Sequence, residues 1–496
     1  MTSIPASIQA IVPMLSVTLA ALACMTWEAF RDKGEPDRMP VGALGIVGLL
    51  GAAISAAFLW NGNTTSFGVI SGDNFGLFVT LVLAAVGILT IMFSSQVIHR
   101  DGIVAGEYYT LILFAIAGMI MMATANDLLV IFIALEVLSL AVYVLTGIRR
   151  EDPQATEAAF KYFLLGAFSS AFFLYGIAFT FGLAKTTRLD VISSFLAAQA
   201  LSDNPLILVA LGLLLVGFAF KISAVPFHMW TPDAYEGAPA IVTGFMSTAV
   251  KAAAFAAFVR VFLMAFEPFS ADWAPIVWVI AAATMILGTV VGVAQTNLKR
   301  MLAYSSIAHG GYLLVGLVAA NEVGKAAILF YLATYAITNL AAFGVIALLG
   351  ARDRENDELQ DYAGLWYSHP GLAALMTVCL LSLGGIPPTA GFIGKWYIFS
   401  AAVSAGYYGL AVIGVLTSVI SVFFYLRVVV MMYMQERGAE APVIHVNAIS
   451  MTALTVSIAA IFYLGILPTQ VLNSRPSTTC SSRGASRVRR GRPAAA

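Results

Sequence analysis

Along the chain, long apolar runs alternate with short polar joints. Fourteen apolar stretches of about 18 to 30 residues fall at approximately 7–29, 40–60, 74–97, 107–125, 127–148, 156–184, 205–230, 238–266, 272–296, 300–320, 322–349, 369–403, 406–434 and 445–468. Each is long enough for the roughly 20 residues that a spanning helix needs. Open strands cannot satisfy their backbone in lipid, so the pattern predicts helices throughout. The longest polar connections are 61–73, 185–204 and 350–368. The expected fold is an all-α polytopic membrane protein with about 14 transmembrane helices.

Composition agrees with the pattern. Hydrophobic residues make up 60% of the chain and charged ones 10%, with a mean hydropathy of +0.90, against roughly 25% charge in soluble domains. The formal net charge is zero, which gives no ground for a nucleic-acid partner or a strongly acidic substrate. Cys24 and Cys379 lie in apolar segments and Cys480 in the tail, with no C-x-x-C spacing, so no metal, iron-sulfur or redox site is expected from cysteine. The residues before Thr26 contain no Lys or Arg, so the first apolar segment reads as a retained span rather than a signal peptide.

Lys and Arg are unevenly shared between alternate connections. One side holds Arg31, Lys33, Arg38, Arg100, Arg149, Arg150, Lys299, Arg300, Arg352, Arg354 and Arg437, the other Lys185, Arg188 and Lys325. The positive-inside tendency places the first group in the cytoplasm, and an even helix count then puts both termini outside. From Asn473 the chain becomes NSRPSTTCSSRGASRVRRGRPAAA, a basic tail without periodicity. It reads as disordered, and its arginines oppose the bias of the rest, so an altered or out-of-frame end is also expected.

Charges inside the spans carry the chemistry. An ionisable group near the bilayer centre costs at least about 2.5 to 3.5 kcal/mol on insertion scales and usually faces a protein or water-filled interior. Four positions qualify, each expected several residues or more from its helix end: Glu136 in LLVIFIALEVLSLAVYV, Lys221 in FAFKISAVPFHMW, Lys251 in FMSTAVKAAAFAAF and Lys395 in TAGFIGKWYIF. Three are weaker. Lys161 follows the polar RREDPQATE and can serve as a snorkelling anchor. His309 in YSSIAHGGY can be a satisfied core histidine. His228, beside Asp233 and Glu236, suits a cap or loop contact. Lys299, Arg300 and Arg427 mark the interface.

Two helices are interrupted. Pro226 follows Lys221 by five residues, and SLGGIPPTAGF places Gly384, Gly385, Pro387, Pro388 and Gly391 before Lys395. Proline frees a backbone carbonyl, which is tolerated at membrane depth only where protein or water satisfies it. Paired interruptions in two halves point to an inverted-repeat ion carrier with its path near the midplane. The expected organisation is N-terminal helices in 1–106, a first five-helix repeat in 107–266, a second in 267–434, a last helix in 435–472 and the tail in 473–496.

One carboxylate and a row of lysines suit proton transfer. Burial disfavours a lysine's charged form and a nearby carboxylate favours it, so moving the partner can make the lysine release or take up a proton. Glu136 with Lys221 reads as such a switchable pair, with Lys251 and Lys395 as later stops. No nucleophile with its base, phosphate loop or metal cluster is visible.

LKRMLAYSSIAHGGY (298–312), FKISAVPFHMWTPDAYEGAP (220–239) and LSLGGIPPTAGFIGKWYIF (381–399) together resemble the antiporter-like membrane subunits of respiratory complex I, over residues 1 to about 472. The resemblance implies that Glu136 is the family's fifth-helix glutamate, Lys221 the lysine of its broken seventh helix, Lys251 the connecting lysine of the eighth and Lys395 the lysine after the second break. Lys395 favours the N-type branch, because the M paralogue typically carries glutamate there and the L paralogue continues into a long lateral helix. It further implies a proton-translocating subunit of an NADH-quinone oxidoreductase in a bacterial inner membrane, with no cofactor in this chain. FMN, iron-sulfur clusters, NADH and quinone are expected in partner subunits, and subunits M and K are the expected neighbours, with the peripheral redox arm an indirect one. A subunit of a multi-protein cation/proton antiporter is the alternative, and a passive scaffold a third that the four buried ionisable groups oppose.

Overall fold

The structure, a computed structural model, describes residues 5–30, 41–199, 204–350, 357–436 and 446–469. The basic tail from Asn473 lies outside the described residues.

Helices run in chain order as α1 (Ala6–Gln9), α2 (Val12–Phe30), α3 (Val41–Leu59), α4 (Asn74–Arg100), α5 (Ala105–Thr124), α6 (Leu128–Thr146), α7 (Pro153–Ala184), α8 (Leu189–Leu196), α9 (Leu206–Lys221), α10 (Trp230–Gly237), α11 (Ala240–Phe245), α12 (Lys251–Arg260), α13 (Ser270–Val293), α14 (Leu298–Ala319), α15 (Glu322–Leu349), α16 (Leu365–Ser368), α17 (Pro370–Gly384), α18 (Ala390–Ser404), α19 (Tyr408–Met434) and α20 (Ala448–Ile466). Among the described residues, twelve uninterrupted helical segments are long and apolar enough to cross a membrane, and the shorter apolar helices α9 and α17 each lead into a break. Every one of the fourteen expected stretches therefore holds a helix, twelve continuous and two interrupted. The polar connection 61–73 contains a hairpin of β1 (Thr64–Ser66) and β2 (Ile70–Gly72), and 185–204 contains α8.

Short polar side chains set where helices begin. Asp73, Asp127, Asp152, Asn297, Asn321 and Asn447 each accept a hydrogen bond from a first-turn N–H of the helix that follows, satisfying donors that the helix cannot. Almost every residue of α14, α15 and the segment Ala240–Ala265 is buried. By contrast α2, α3, α7, α13 and α19 present Leu19, Phe58, Phe168, Val279 and Val419 outward, as a lipid-facing belt requires. Two π turns, Met246–Val250 and Val261–Ala265, flank α12.

The first break differs from its expectation in one respect. α9 ends at Lys221, five residues before Pro226: Ser223 takes φ 63°, and the N–H of Ala224 closes the turn on Ala219 at 2.8 Å. Lys221 is thus the last residue of its half-helix and not several residues inside it. The carbonyl of Phe220 accepts from the Ser223 N–H at 3.1 Å and from the indole N–H of Trp230 at 3.0 Å. At the second break Gly385 takes φ +80° and a Cβ there would lie 2.9 Å from Lys395 Cδ, so glycine supplies both the turn and the room. The Val225–Pro226 and Pro387–Pro388 peptide bonds are cis.

The arginine-rich connections are tied to one another. Arg149 pairs with Asp101, Arg150 with Glu107, Lys299 with Asp357 at 3.0 Å, and Arg300 with Asp233 and Glu236 at 2.9 and 2.6 Å. Arg100 donates to the carbonyls of Ala347 and Gly350 at the end of α15, where a cation complements the helix dipole. A cavity of about 820 Å³ opens among Asp101, Glu107, Arg149, Arg150, Glu236 and Asp357.

Candidate functional site

Lys221, at the end of α9, is 3% exposed. Its Nζ donates to Ser139 Oγ at 2.7 Å and to Tyr162 Oη at 3.4 Å and lies over the rings of Tyr143 and Tyr162 at 5.5 and 5.4 Å, a favourable setting for a cation. Tyr162 is fixed by stacking on Trp230 with ring centroids 4.1 Å apart. Glu136 is one helical turn before Ser139 on α6, half-buried, with Oε1 shut from solvent and without a hydrogen bond. The two charges are close enough to interact, yet among the described residues no ion pair joins Glu136 to Lys221. The expected pair shares one locale without contact.

Lys251, immediately after the first π turn, donates from Nζ to the carbonyl and the hydroxyl of Ser306 at 2.5 and 2.6 Å and lies 5.8 Å from the Tyr335 ring centre. π turns recur at functional positions because they redirect a side chain within a helix. Beside Ser306 on α14, Ser305 Oγ meets Tyr425 Oη at 2.5 Å. Tyr425 Oη also meets His309 Nε2 at 3.2 Å, and His309 Nδ1 meets Tyr331 Oη at 2.6 Å. Both nitrogens of His309 therefore have phenol partners, and it belongs to the polar line. One turn on, the ring of Tyr312 lies 5.2 Å from Lys395 Nζ. Lys395 donates to the carbonyls of Leu383 and Gly384 at 2.9 and 3.1 Å and to Ser418 Oγ at 2.8 Å. The motif on α14 thus spans the core from the contact of Lys251 to that of Lys395.

The remaining candidates separate from this line. Lys161 is 45% exposed and pairs with Glu157 at 2.8 Å and Asp233 at 3.0 Å, as a surface anchor does. Burial pushes the Asp233 carboxyl up, but hydrogen bonds from Lys161 and Arg300 outweigh it and hold the group below the usual carboxylate range. Asp233 and Glu236 are engaged by these cations, while His228 lies in the break with Nδ1 buried and without a hydrogen bond. Arg260, a further charge inside a span and not among the sequence candidates, is 1% exposed. It holds Asp73 through two N–H groups at 2.8 and 2.5 Å and the Ala123 carbonyl at 2.7 Å. The signal was an arginine with apolar residues on both sides in AAFVRVFLM, but its partner is 187 positions away. Among the described residues, no group of three or more His, Cys, Asp or Glu could hold a metal ion.

Residues 125–421 match the family described as NADH:quinone oxidoreductase/Mrp antiporter, TM. The chain is 46% identical over 430 residues to NADH-quinone oxidoreductase subunit N of Trichlorobacter lovleyi, covering 86% of this chain and 88% of that one. The chain belongs to the NADH-quinone oxidoreductase subunit N family. Subunit N 1 of Sorangium cellulosum is 42% identical over 506 residues, covering 96% of this chain and 99% of the relative. A chain in the structure of respiratory complex I from Thermus thermophilus with bound aureothin matches with a TM-score of 0.77 at 34% identity, over 93% of this chain and 98% of that chain. The Mrp complex of Dietzia sp. DQ12-45-1b shares the fold, with a TM-score of 0.83 at 20% identity over 94% and 96% of the two chains.

Proposed function

We propose that this subunit N family member translocates protons across a bacterial inner membrane as part of an NADH-quinone oxidoreductase, with Glu136, Lys221, Lys251 and Lys395 as the relay and His309 as a link between the last two. The observation that carries this reading is the bonding of the three buried lysines. Each is held by hydroxyls or main-chain carbonyls rather than by a carboxylate. Neutral acceptors satisfy an ammonium without fixing its charge as a tight ion pair does, so the state of each lysine responds to its neighbours. Moving one charge through 100 mV takes roughly 2.3 kcal/mol, so uphill transport requires an outside source. That source is NADH oxidation and quinone reduction in partner subunits, where FMN and iron-sulfur clusters reside.

The two interrupted helices define the proposed organisation, a repeat in 107–266 and another in 267–434, with subunits M and K as neighbours. The arginine-rich, mutually tied connections face the cytoplasm and both termini the outer side. Lys161 and His228 are peripheral to the relay. Purification from native membranes tests the assignment against a cation/proton antiporter that shares the fold. The intact assembly is expected to contain this chain together with flavin and iron-sulfur clusters and to acidify vesicles on NADH addition. An assembly lacking both cofactors, with cation-driven proton exchange, would overturn it.

A further inference from the structure

Asn339, on α15, is fully buried, and no step of the relay uses it. Its amide nitrogen donates to Ser247 Oγ at 2.7 Å and to Tyr335 Oη at 3.1 Å. Both acceptors belong to the surroundings of Lys251. Ser247 lies in the π turn Met246–Val250, which ends at the residue before Lys251, and the Tyr335 ring lies under the Lys251 ammonium. Ser247 gives its own proton to the Gly244 carbonyl at 2.9 Å, so its oxygen can only accept, and the amide must face it with nitrogen. Gly244 makes the approach possible: a Cβ there would lie 2.8 Å from Cβ of Phe343, one turn beyond Asn339 on α15. Among the described residues Oδ1 of Asn339 is buried without a hydrogen bond, so the side chain is held by its donor and carries the cost of an unpaired acceptor.

We propose that Asn339 is a positioning residue for Lys251: its amide clamps both the π turn that aims the lysine and the ring on which the ammonium rests. The inference rests on the relay reading above and adds to it a residue that acts only through its hold on that turn and that ring. A π turn carries one residue more than the α-helical turn it replaces, and one residue turns a helix by roughly 100°. Relaxed to α-helical spacing, the turn would swing Lys251 away from the carbonyl and hydroxyl of Ser306, which its Nζ meets at 2.5 and 2.6 Å. From inside the helix, the hydroxyls of Ser247 and Thr248 bond back to the Gly244 carbonyl at 2.9 and 2.7 Å, a pattern that bends a helix. Asn339 holds the same turn from a neighbouring helix.

Variants of the whole complex test it. Asn339→Leu removes the donor and Ser247→Ala its acceptor; each is expected to lower NADH-driven proton pumping at least three-fold with the complex assembled, and the double variant to pump like Asn339→Leu alone, because the two changes break one bond. Ser247→Thr, which keeps the hydroxyl, is expected to pump within two-fold of wild type, a rescue that restored packing alone would not give. A map of Ser247→Ala is expected to show Lys251 Nζ moved off Ser306, and a map with the π turn and both Ser306 bonds intact would overturn the proposal. Ser247→Ala deletes one atom and decides the matter should Asn339→Leu fail to assemble. If Lys251→Ala abolishes pumping while Asn339→Leu and Ser247→Ala pump at the wild-type rate, the clamp is wrong and the relay stands. If Lys251→Ala itself pumps fully, Lys251 has no part in the relay and the clamp falls with it.

Discussion

At the end of α9 the carbonyl of Phe220 accepts from the Ser223 N–H and from the neutral indole N–H of Trp230; at the end of α17 the freed carbonyls of Leu383 and Gly384 are taken by the ammonium of Lys395. Both breaks solve the same problem, unsatisfied backbone at membrane depth. In the first, the structural donor and the charged group are different residues, and Lys221 points at side-chain hydroxyls that can reorient. In the second they are one residue, and the cation, carried by α18, sits on the negative end of the α17 dipole. Lys221 is therefore the more readily switched of the two, and Lys395 has a share in holding the fold.

A buried charge in an outright ion pair marks one end of this comparison. Arg260→Gln leaves Asp73 without its cation and is expected to cost about 3–5 kcal/mol, the largest stability loss, read as a drop in the denaturation midpoint of the purified complex. Lys395→Ala strands two main-chain acceptors and is expected to cost about 1–3 kcal/mol for each left unpaired, whereas Lys221→Ala leaves hydroxyls that can find other partners and costs less. Equal thermal shifts for the two lysine variants would break the distinction between the breaks. Glu136→Gln removes a charge but no hydrogen bond at Oε1, so its denaturation midpoint should stay near wild type while proton pumping falls several-fold.

The smallest effects belong to the anchor. Lys161→Ala is expected to keep pumping within two-fold of wild type. The link of Asp233 to Lys161 and Arg300 has a sign in pH: a carboxyl held below its ordinary value stabilises fully above the unfolded value, near 3.9, and loses that contribution as pH falls through the folded value. Stability from this link should be flat between pH 5 and 8 and fall only in acid, and Asp233→Asn should remove the acid-side loss.

Much of this was legible because apolar length is a strong signal: all fourteen stretches and both breaks follow from hydropathy and proline. The four relay candidates were legible because charge is costly among apolar neighbours. Partners were not. The phenols of Tyr331 and Tyr425 that bracket His309 lie 22 and 116 positions from it, and tyrosine in an apolar run carries no mark of what its hydroxyl meets. Asp73 could be read as a helix cap, but not as the partner of Arg260. The end of α9 at Lys221 was hidden too, because Pro226 draws the eye, whereas the turn is made by Ser223 and closed on Ala219.

The central claim is that Lys221 moves protons, and Lys221→Ala in the intact complex tests it most directly. In sealed vesicles, with NADH oxidation followed alongside acidification, the variant is expected to assemble and to lose at least ten-fold in pumping rate. An assembled Lys221→Ala complex that acidifies vesicles at the wild-type rate would contradict the account.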